Sequence, residues 1–292
     1  MRRFRLHEPA SVQEASQLLD QYGDAARIKG GGTELLVLMK MGLLHCEHLV
    51  NLKSVPGLDT IRYDEATGWL HIGALATHRD VEQSPLVLGH FPVLSQMEHD
   101  VANVRVRNVG TIAGNLCFAD PYSDPGTLLA CLQAEVVLQR GNQQRTIPID
   151  TFSVDAYTTS REDDELLVEI RIPPLPPRSA AAYQTFRFYE RPSANVAVMV
   201  SLGEDGENIK EFRVAVGAVP PAPTRLKAVE VAAQNANVKT VTEAADEASG
   251  SAVQDLDVFG DTHGSPAYLR NLVRVLLRRA TGSALATARV QG

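Results

Sequence analysis

The chain has 292 residues, of which 44% are hydrophobic, and a formal net charge of -7. This is ample for packed cores in about two domains, and it excludes a disordered chain and a basic nucleic-acid footprint. Three scattered cysteines, Cys46, Cys117 and Cys131, exclude a disulfide framework or an iron–sulfur site built from this chain alone and fit a reducing, cytoplasmic setting.

The basic start Met1-Arg2-Arg3-Phe4-Arg5 leads into no apolar run, so neither a signal peptide nor a membrane span is expected. Ser11-Val12-Gln13-Glu14 reads as a capping box, opening a helix that carries Val12, Ala15, Leu18 and Leu19 and stops at Gly23. Residues 26–29 read as a short strand running into Gly30-Gly31-Gly32. Thr33 then suits the N-cap of a helix with Leu35, Leu36, Leu38 and Met39, ending near Gly42. Residues 48–53 return as a strand, and Pro56-Gly57 breaks the chain. The outline of this first segment is β-α-β.

Further on, residues 69–73 and 135–139 suggest strands, and residues 92–101 and 124–132 suggest helices. Residues 166–172 alternate weakly and end at Pro173-Pro174-Leu175-Pro176-Pro177, the clearest linker in the chain. Beyond it, residues 183–189, 196–202 and 211–219 predict three strands, and residues 224–237 and 266–280 predict helices.

The glycine run is the first functional signal. Glycine admits positive φ and close approach to the backbone, and a turn opening into a helix gathers free N–H groups suited to a phosphate. No G-x-x-x-x-G-K-[ST] occurs, and Leu35 stands where a dinucleotide fingerprint needs its third glycine. Alone, the run is equally a tight turn. On the ligand reading, a β-branched residue at position 31 abolishes binding and leaves the fold largely intact.

A second cluster follows at Arg107-Asn108-Val109-Gly110-Thr111-Ile112-Ala113-Gly114-Asn115, trailed by Asp120-Pro121-Tyr122-Ser123-Asp124. Its glycines can shape an anion-binding turn, Thr111 and Asn115 can add donors, and Asp124 offers an acceptor. The plainer alternative is two ordinary loops with Asp120 and Asp124 as helix caps. His45-Cys46-Glu47-His48 has metal-type residues at a spacing that fits no common site, so a helix-to-strand turn is expected there and no metal. Arg270, Arg274, Arg278 and Arg279 fall at helical spacing, either as a solvated face or as a docking face for an acidic partner.

The two clusters in this order resemble the FAD-binding medium subunit of molybdenum hydroxylases, a family that includes the flavoprotein subunit of aerobic carbon monoxide dehydrogenase and the flavin domain of xanthine dehydrogenase. The resemblance covers essentially the whole chain. It implies an α+β fold: a two-subdomain FAD-binding domain of the vanillyl-alcohol-oxidase type, then a small C-terminal domain with a three-stranded antiparallel sheet and helices. The implied division is 1–57, 58–175 and 180–285. It further implies that Lys29, Gly30, Gly31, Gly32, Thr33, Glu34 and Leu35 hold the FAD pyrophosphate. Thr111, Gly114, Asn115 and Asp124 form the second half of the cradle, Leu166 or Leu167 supplies a backbone contact, and Arg187 places a cation by the reduced flavin. Lys29 stands where the family often has alanine, and Asn195 where it often has aspartate.

By the same resemblance, the chain is an electron-relay subunit with no catalytic residue toward the hydroxylated substrate. The 2Fe–2S clusters sit on a small partner and molybdopterin on a large one, in a dimer of heterotrimers that is cytoplasmic and binds no nucleic acid. The alternative is a standalone FAD-dependent oxidoreductase, for which the C-terminal domain offers only His263 and exposed carboxylates.

Overall fold

The computed structural model describes residues 2–188, 191–258 and 264–291; position 189, the end of the strand expected over 183–189, and His263 lie outside them. The described chain groups into two compact units, residues 1–118 with 135–172 and residues 119–134 with 173–292.

The first unit opens with a parallel sheet of β1 (Arg5–His7), β2 (Ala26–Lys29) and β3 (His48–Asn51), in the order β1-β3-β2. Helix α1 (Val12–Tyr22) connects β1 to β2, and α2 (Leu35–Met41) connects β2 to β3. Ser11 caps α1 by accepting from Glu14 N–H at 3.1 Å. Glu14 reaches back one residue further than a capping box requires, to Ala10 N–H at 2.8 Å. Gly23 closes the helix at φ 47°, a left-handed geometry that glycine takes without steric cost. Helix α2 begins one residue later than expected: Glu34, not Thr33, is its cap, and makes no side-chain capping bond. Strand β3 stops at Asn51, where a 3₁₀ turn replaces the expected continuation to residue 53.

A five-stranded antiparallel sheet follows, built from β4 (Ile61–Tyr63), β5 (Leu70–Gly73), β6 (Glu135–Arg140), β7 (Gln143–Pro148) and β10 (Leu166–Ile172), in the order β4-β5-β10-β6-β7. A two-stranded ribbon of β8 (Ser153–Asp155) and β9 (Thr158–Thr159) lies between β7 and β10 in sequence. The helices of this half are α3 (His78–Gln83), α4 (Pro85–His90), α5 (Pro92–Asp100), α6 (Val104–Arg107) and α7 (Ile112–Phe118). Ala15 and Leu19 of α1, Val50 of β3, Val137 of β6 and Leu166 and Val168 of β10 meet in one buried cluster. The two sheets of this unit thus share a core.

The second unit starts with α8 (Pro125–Cys131), every residue of which is buried. Its sheet runs β11-β12-β13-β14, from β11 (Ser179–Arg187), β12 (Pro192–Leu202), β13 (Ile209–Gly217) and β14 (Thr224–Arg225). The three long strands were legible in the sequence; the two-residue β14 lies inside a segment that reads as helix, shortening α9 to Lys227–Ala233. Helices α10 (Val241–Ala252) and α11 (Pro266–Gln291) complete the unit.

Strand β12 is buried over its whole length. Alternate side chains of a strand face opposite ways: Ala194, Val196, Val198, Val200 and Leu202 join Leu269, Val273, Leu276 and Leu277 of α11 in the core. On the other face, Asn195 accepts from Thr127 Oγ1 of α8 at 2.8 Å.

Candidate functional site

Lys29 ends β2, and the glycine run leaves the carboxyl end of this parallel strand, where open parallel sheets commonly place ligands. Gly32 sits at φ +82°, and its carbonyl accepts the first bond of α2, from Leu36 N–H at 3.1 Å. Lys29 Nζ reaches its own sheet, 3.3 Å from Asn51 Oδ1 and 3.4 Å from the Gly30 carbonyl. Asn51 in turn donates to Glu8 Oε1 at 3.3 Å. Burial, and then the charge of Lys53, pull the Lys29 ammonium below its usual pKa.

The second cluster comes to the same place in this unit. Thr111 caps α7 by accepting from Gly114 N–H at 3.0 Å, and its carbonyl accepts from Asn115 N–H at 3.0 Å. A Cβ on Gly31 would collide with the Val109 carbonyl and stand 2.7 Å from Gly110 Cα; one on Gly30 would stand 3.2 Å from Thr111 Oγ1. One on Gly110 would meet Thr33 Oγ1 at 3.3 Å. The glycines at 31 and 110 therefore serve first to let two loops, nearly eighty residues apart, touch backbone to backbone. That corrects the sequence expectation for position 31, where the crowding atoms are protein.

Leu166 and Leu167 open β10 and are both buried, and α7 packs against the same strand. Asp124 and Arg187 belong to the other unit and are joined there: Arg187 Nη2 donates to Asp124 Oδ1 at 2.8 Å, and Tyr183 Oη donates to the same oxygen at 2.6 Å. Asp124 precedes α8 without capping it through its side chain. The neighbouring loop is pinned by Asn195 Nδ2 to the Ser123 carbonyl at 3.1 Å and by Arg191 to Asp120 at 2.7 Å. Neither Tyr183 nor Asn195 was among the expected site residues; Asn195 was marked only as a departure from the family's aspartate, and Tyr183 carries no signal until the strands are folded together.

A polar cluster behind the second loop was also missed. Thr77 caps α3 with Asp80 in a full capping box, and residues 76–78 run alongside the loop: Ile112 N–H donates to the Ala76 carbonyl at 3.3 Å, and His78 N–H to the Gly110 carbonyl at 3.0 Å. The His78 ring is tied to Glu98 of α5, Nδ1 to Oε2, at 2.6 Å. Close by, Glu82 accepts from Arg79, His99 and Arg107. Burial pushes its carboxyl up, but those donors together hold it below the usual value. The signal for this region was Thr77-x-x-Asp80, a capping-box pattern.

Cys46 is buried with Sγ 3.9 Å from Met39 Sδ, and no metal-binding group of three or more ligands occurs among the described residues. Arg270 caps α10 by donating to the Val253 and Leu256 carbonyls, while Arg274 and Arg278 lie 3.2 Å and 3.4 Å from Asp246. Arg274 and Arg278 thus pair with α10 while their side chains remain 36% and 50% exposed. No helix among the described residues is long and apolar enough to cross a membrane.

The donor set along the paired loops is backbone N–H groups, the Thr33 and Thr111 hydroxyls, the Asn115 amide and the Lys29 ammonium, with Glu34 the one acid. It suits a multiply charged phosphate. Residues 2–175 match the family described as FAD binding domain in molybdopterin dehydrogenase, and residues 189–284 match the CO dehydrogenase flavoprotein C-terminal domain. The chain belongs to the FAD-binding medium subunits of molybdenum-dependent dehydrogenases.

Among such medium subunits, the carbon monoxide dehydrogenase medium chain of Hydrogenophaga pseudoflava is 31% identical, over 97% of this chain and 98% of that one. The 6-hydroxypseudooxynicotine dehydrogenase complex subunit alpha of Paenarthrobacter nicotinovorans is 32% identical, over 96% and 93%. The structure of Hydrogenophaga pseudoflava carbon monoxide dehydrogenase superposes with a TM-score of 0.91, covering 98% of both chains at 31% identity. Quinoline 2-oxidoreductase from Pseudomonas putida 86 gives 0.89 at 28% identity, again over 98% of both chains. This medium subunit is therefore a flavoprotein component of an oxidoreductase, with the expected α+β architecture.

Proposed function

We propose that this chain is the electron-relay subunit of a molybdenum hydroxylase complex, in which bound FAD takes electrons from 2Fe–2S clusters on a small partner subunit and delivers them to an external acceptor. Molybdopterin and the hydroxylated substrate belong to a large partner subunit, and the assembly is a cytoplasmic dimer of heterotrimers. The observation that carries this reading is the backbone contact of two glycine loops within one unit, Gly31 against the Val109 carbonyl.

On this reading, residues 29–35 hold the pyrophosphate from one side, and Thr111, Gly114 and Asn115 hold it from the other. The backbone of Leu166 or Leu167 adds a contact. Asp124 acts on the flavin as an acceptor whose charge is already shared with Arg187 and Tyr183. Arg187 then presents a paired charge, so its pull on an anionic reduced flavin is weaker than a lone cation would exert. The chain divides functionally at 1–57, 58–175 and 180–285.

Purification of the native protein with its partners is the test. The expected preparation contains three kinds of subunit, with flavin absorption assigned to this one after separation. A lone flavoprotein that turns over a substrate favours the standalone oxidoreductase; a chain with no flavin bands even after FAD addition defeats both.

A further inference from the structure

We propose that the buried His78–Glu98 pair is a positioning element for the cofactor-binding loop at Gly110–Thr111, acting through the strap of residues 76–78. This rests on the reading that the paired loops hold FAD.

The strap is fastened to the loop by two backbone hydrogen bonds, Ile112 N–H to the Ala76 carbonyl and His78 N–H to the Gly110 carbonyl, which together make Thr77 and Thr111 an antiparallel bridge pair. The His78 ring lies against the loop, its Cδ2 3.4 Å from where a Gly110 Cβ would be. What fixes the ring is Glu98, whose Oε2 is 2.6 Å from Nδ1, with both side chains at 4% exposure or less.

Two carboxylates in the same group of helices are treated differently. Glu82 is satisfied by three donors, as a buried acid ordinarily must be. Glu98 is fully buried, and its Oε1 has no hydrogen-bond partner among the described residues. If the only task at 98 were to pack α5 against α3, leucine would do it without an unsatisfied oxygen. The one bond Glu98 makes orients the imidazole beneath Gly110, and the strap transmits that orientation to Thr111. Binding sites commonly depend on such supporting groups to hold the contacting residues in place.

The test is FAD titration of the purified, flavin-stripped full chain, followed by flavin fluorescence, alongside thermal melting of the same stripped chain. Glu98→Leu is expected to weaken FAD binding about tenfold or more, with the melting temperature unchanged or raised. Glu98→Gln, which can still accept from Nδ1, is expected to restore binding to within about threefold of wild type. Should Glu98→Leu fail to fold, His78→Asn is read in its place, with the same weakening expected. Equal FAD affinity in wild type and variant overturns the proposal. So does a loss that Glu98→Gln fails to rescue, or one that merely follows a lowered melting temperature. A wild-type chain that takes up no FAD overturns the loop reading itself, and this inference with it.

Discussion

Gly31 lies against the carbonyl of Val109 with no space between them for a side-chain carbon. The two loops of the cradle are therefore one construction, and a change in either is felt by both. Gly31→Ala is expected to push them apart, lowering FAD occupancy at least about tenfold and destabilising the stripped chain by about 1–3 kcal/mol. Valine is expected to be worse on both counts. Flavin stoichiometry and melting of the same preparation check this; normal stoichiometry with alanine would remove the cradle from this position.

Asp124 receives donors from Arg187 and Tyr183 on one oxygen, and both members of the charge pair are well shielded, at 5% and 18% side-chain exposure. Arg187→Met is expected to cost about 3 kcal/mol, because it leaves a buried carboxylate short of its counter-charge. Asp124→Asn combined with Arg187→Met is expected to cost less than the sum of the single changes, by about 1 kcal/mol or more. Urea unfolding of the four chains decides it, and strict additivity would mean the pair is not coupled.

Glu165 is held by Arg145 through both carboxylate oxygens, at 2.6 Å and 2.7 Å. The Arg145 bonds dominate over burial and hold the Glu165 carboxyl below its ordinary value of 4.5. A depressed carboxylate adds stability that is present above the unfolded pKa and is lost as pH falls through the folded one. The wild-type chain is thus expected to lose this contribution below about pH 4.5. Glu165→Gln should be less stable at neutral pH by about 2 kcal/mol and show a flatter acid limb. Unfolding free energies from pH 7 to pH 3 would show parallel curves if the pair contributed nothing.

Burial raises all three thiols: Cys46 above its usual value, Cys117 to about 11 and Cys131 to about 12. At pH 8 a thiol near 11 is ionised to about one part in a thousand. Iodoacetamide is expected to leave the buried Cys46 and Cys131 of the native chain unmodified on a timescale that labels them in urea. Rapid native labelling of Cys131, detected by peptide mass, would contradict its placement inside the second unit.

Local pattern made much of this fold legible. Strands 26–29 and 166–172 coincide with β2 and β10, because each is a short segment with apolar residues at alternating positions, closed by glycine or proline. Helix α11 outran its expected end at 280 because Thr281-Gly282-Ser283 resembles a stop. Ala284, Leu285 and Ala288 keep the helical spacing and are buried, so packing overrides a weak local signal. The site was half legible. Composition marked both loops as ligand turns, yet the contact between Gly31 and Val109 has no trace in either loop alone. Likewise, His78 and Glu98 are unremarkable twenty residues apart until two helices bring them together.

The chain passes between its two units three times, because residues 119–134 lie in sequence within the first unit and fold with the second. Helix α8, buried at every residue, is therefore encoded on the wrong side of the proline run for any simple exchange of parts. A fusion of one family member's first 175 residues to another's C-terminal half would set a foreign α8 into a sheet evolved for a different one, with Thr127 and Asn195 drawn from separate parents. Recombination at the obvious junction is thus penalised. Segment 119–134 is expected to change together with the distant sheet it packs on, not with the stretches that flank it in sequence.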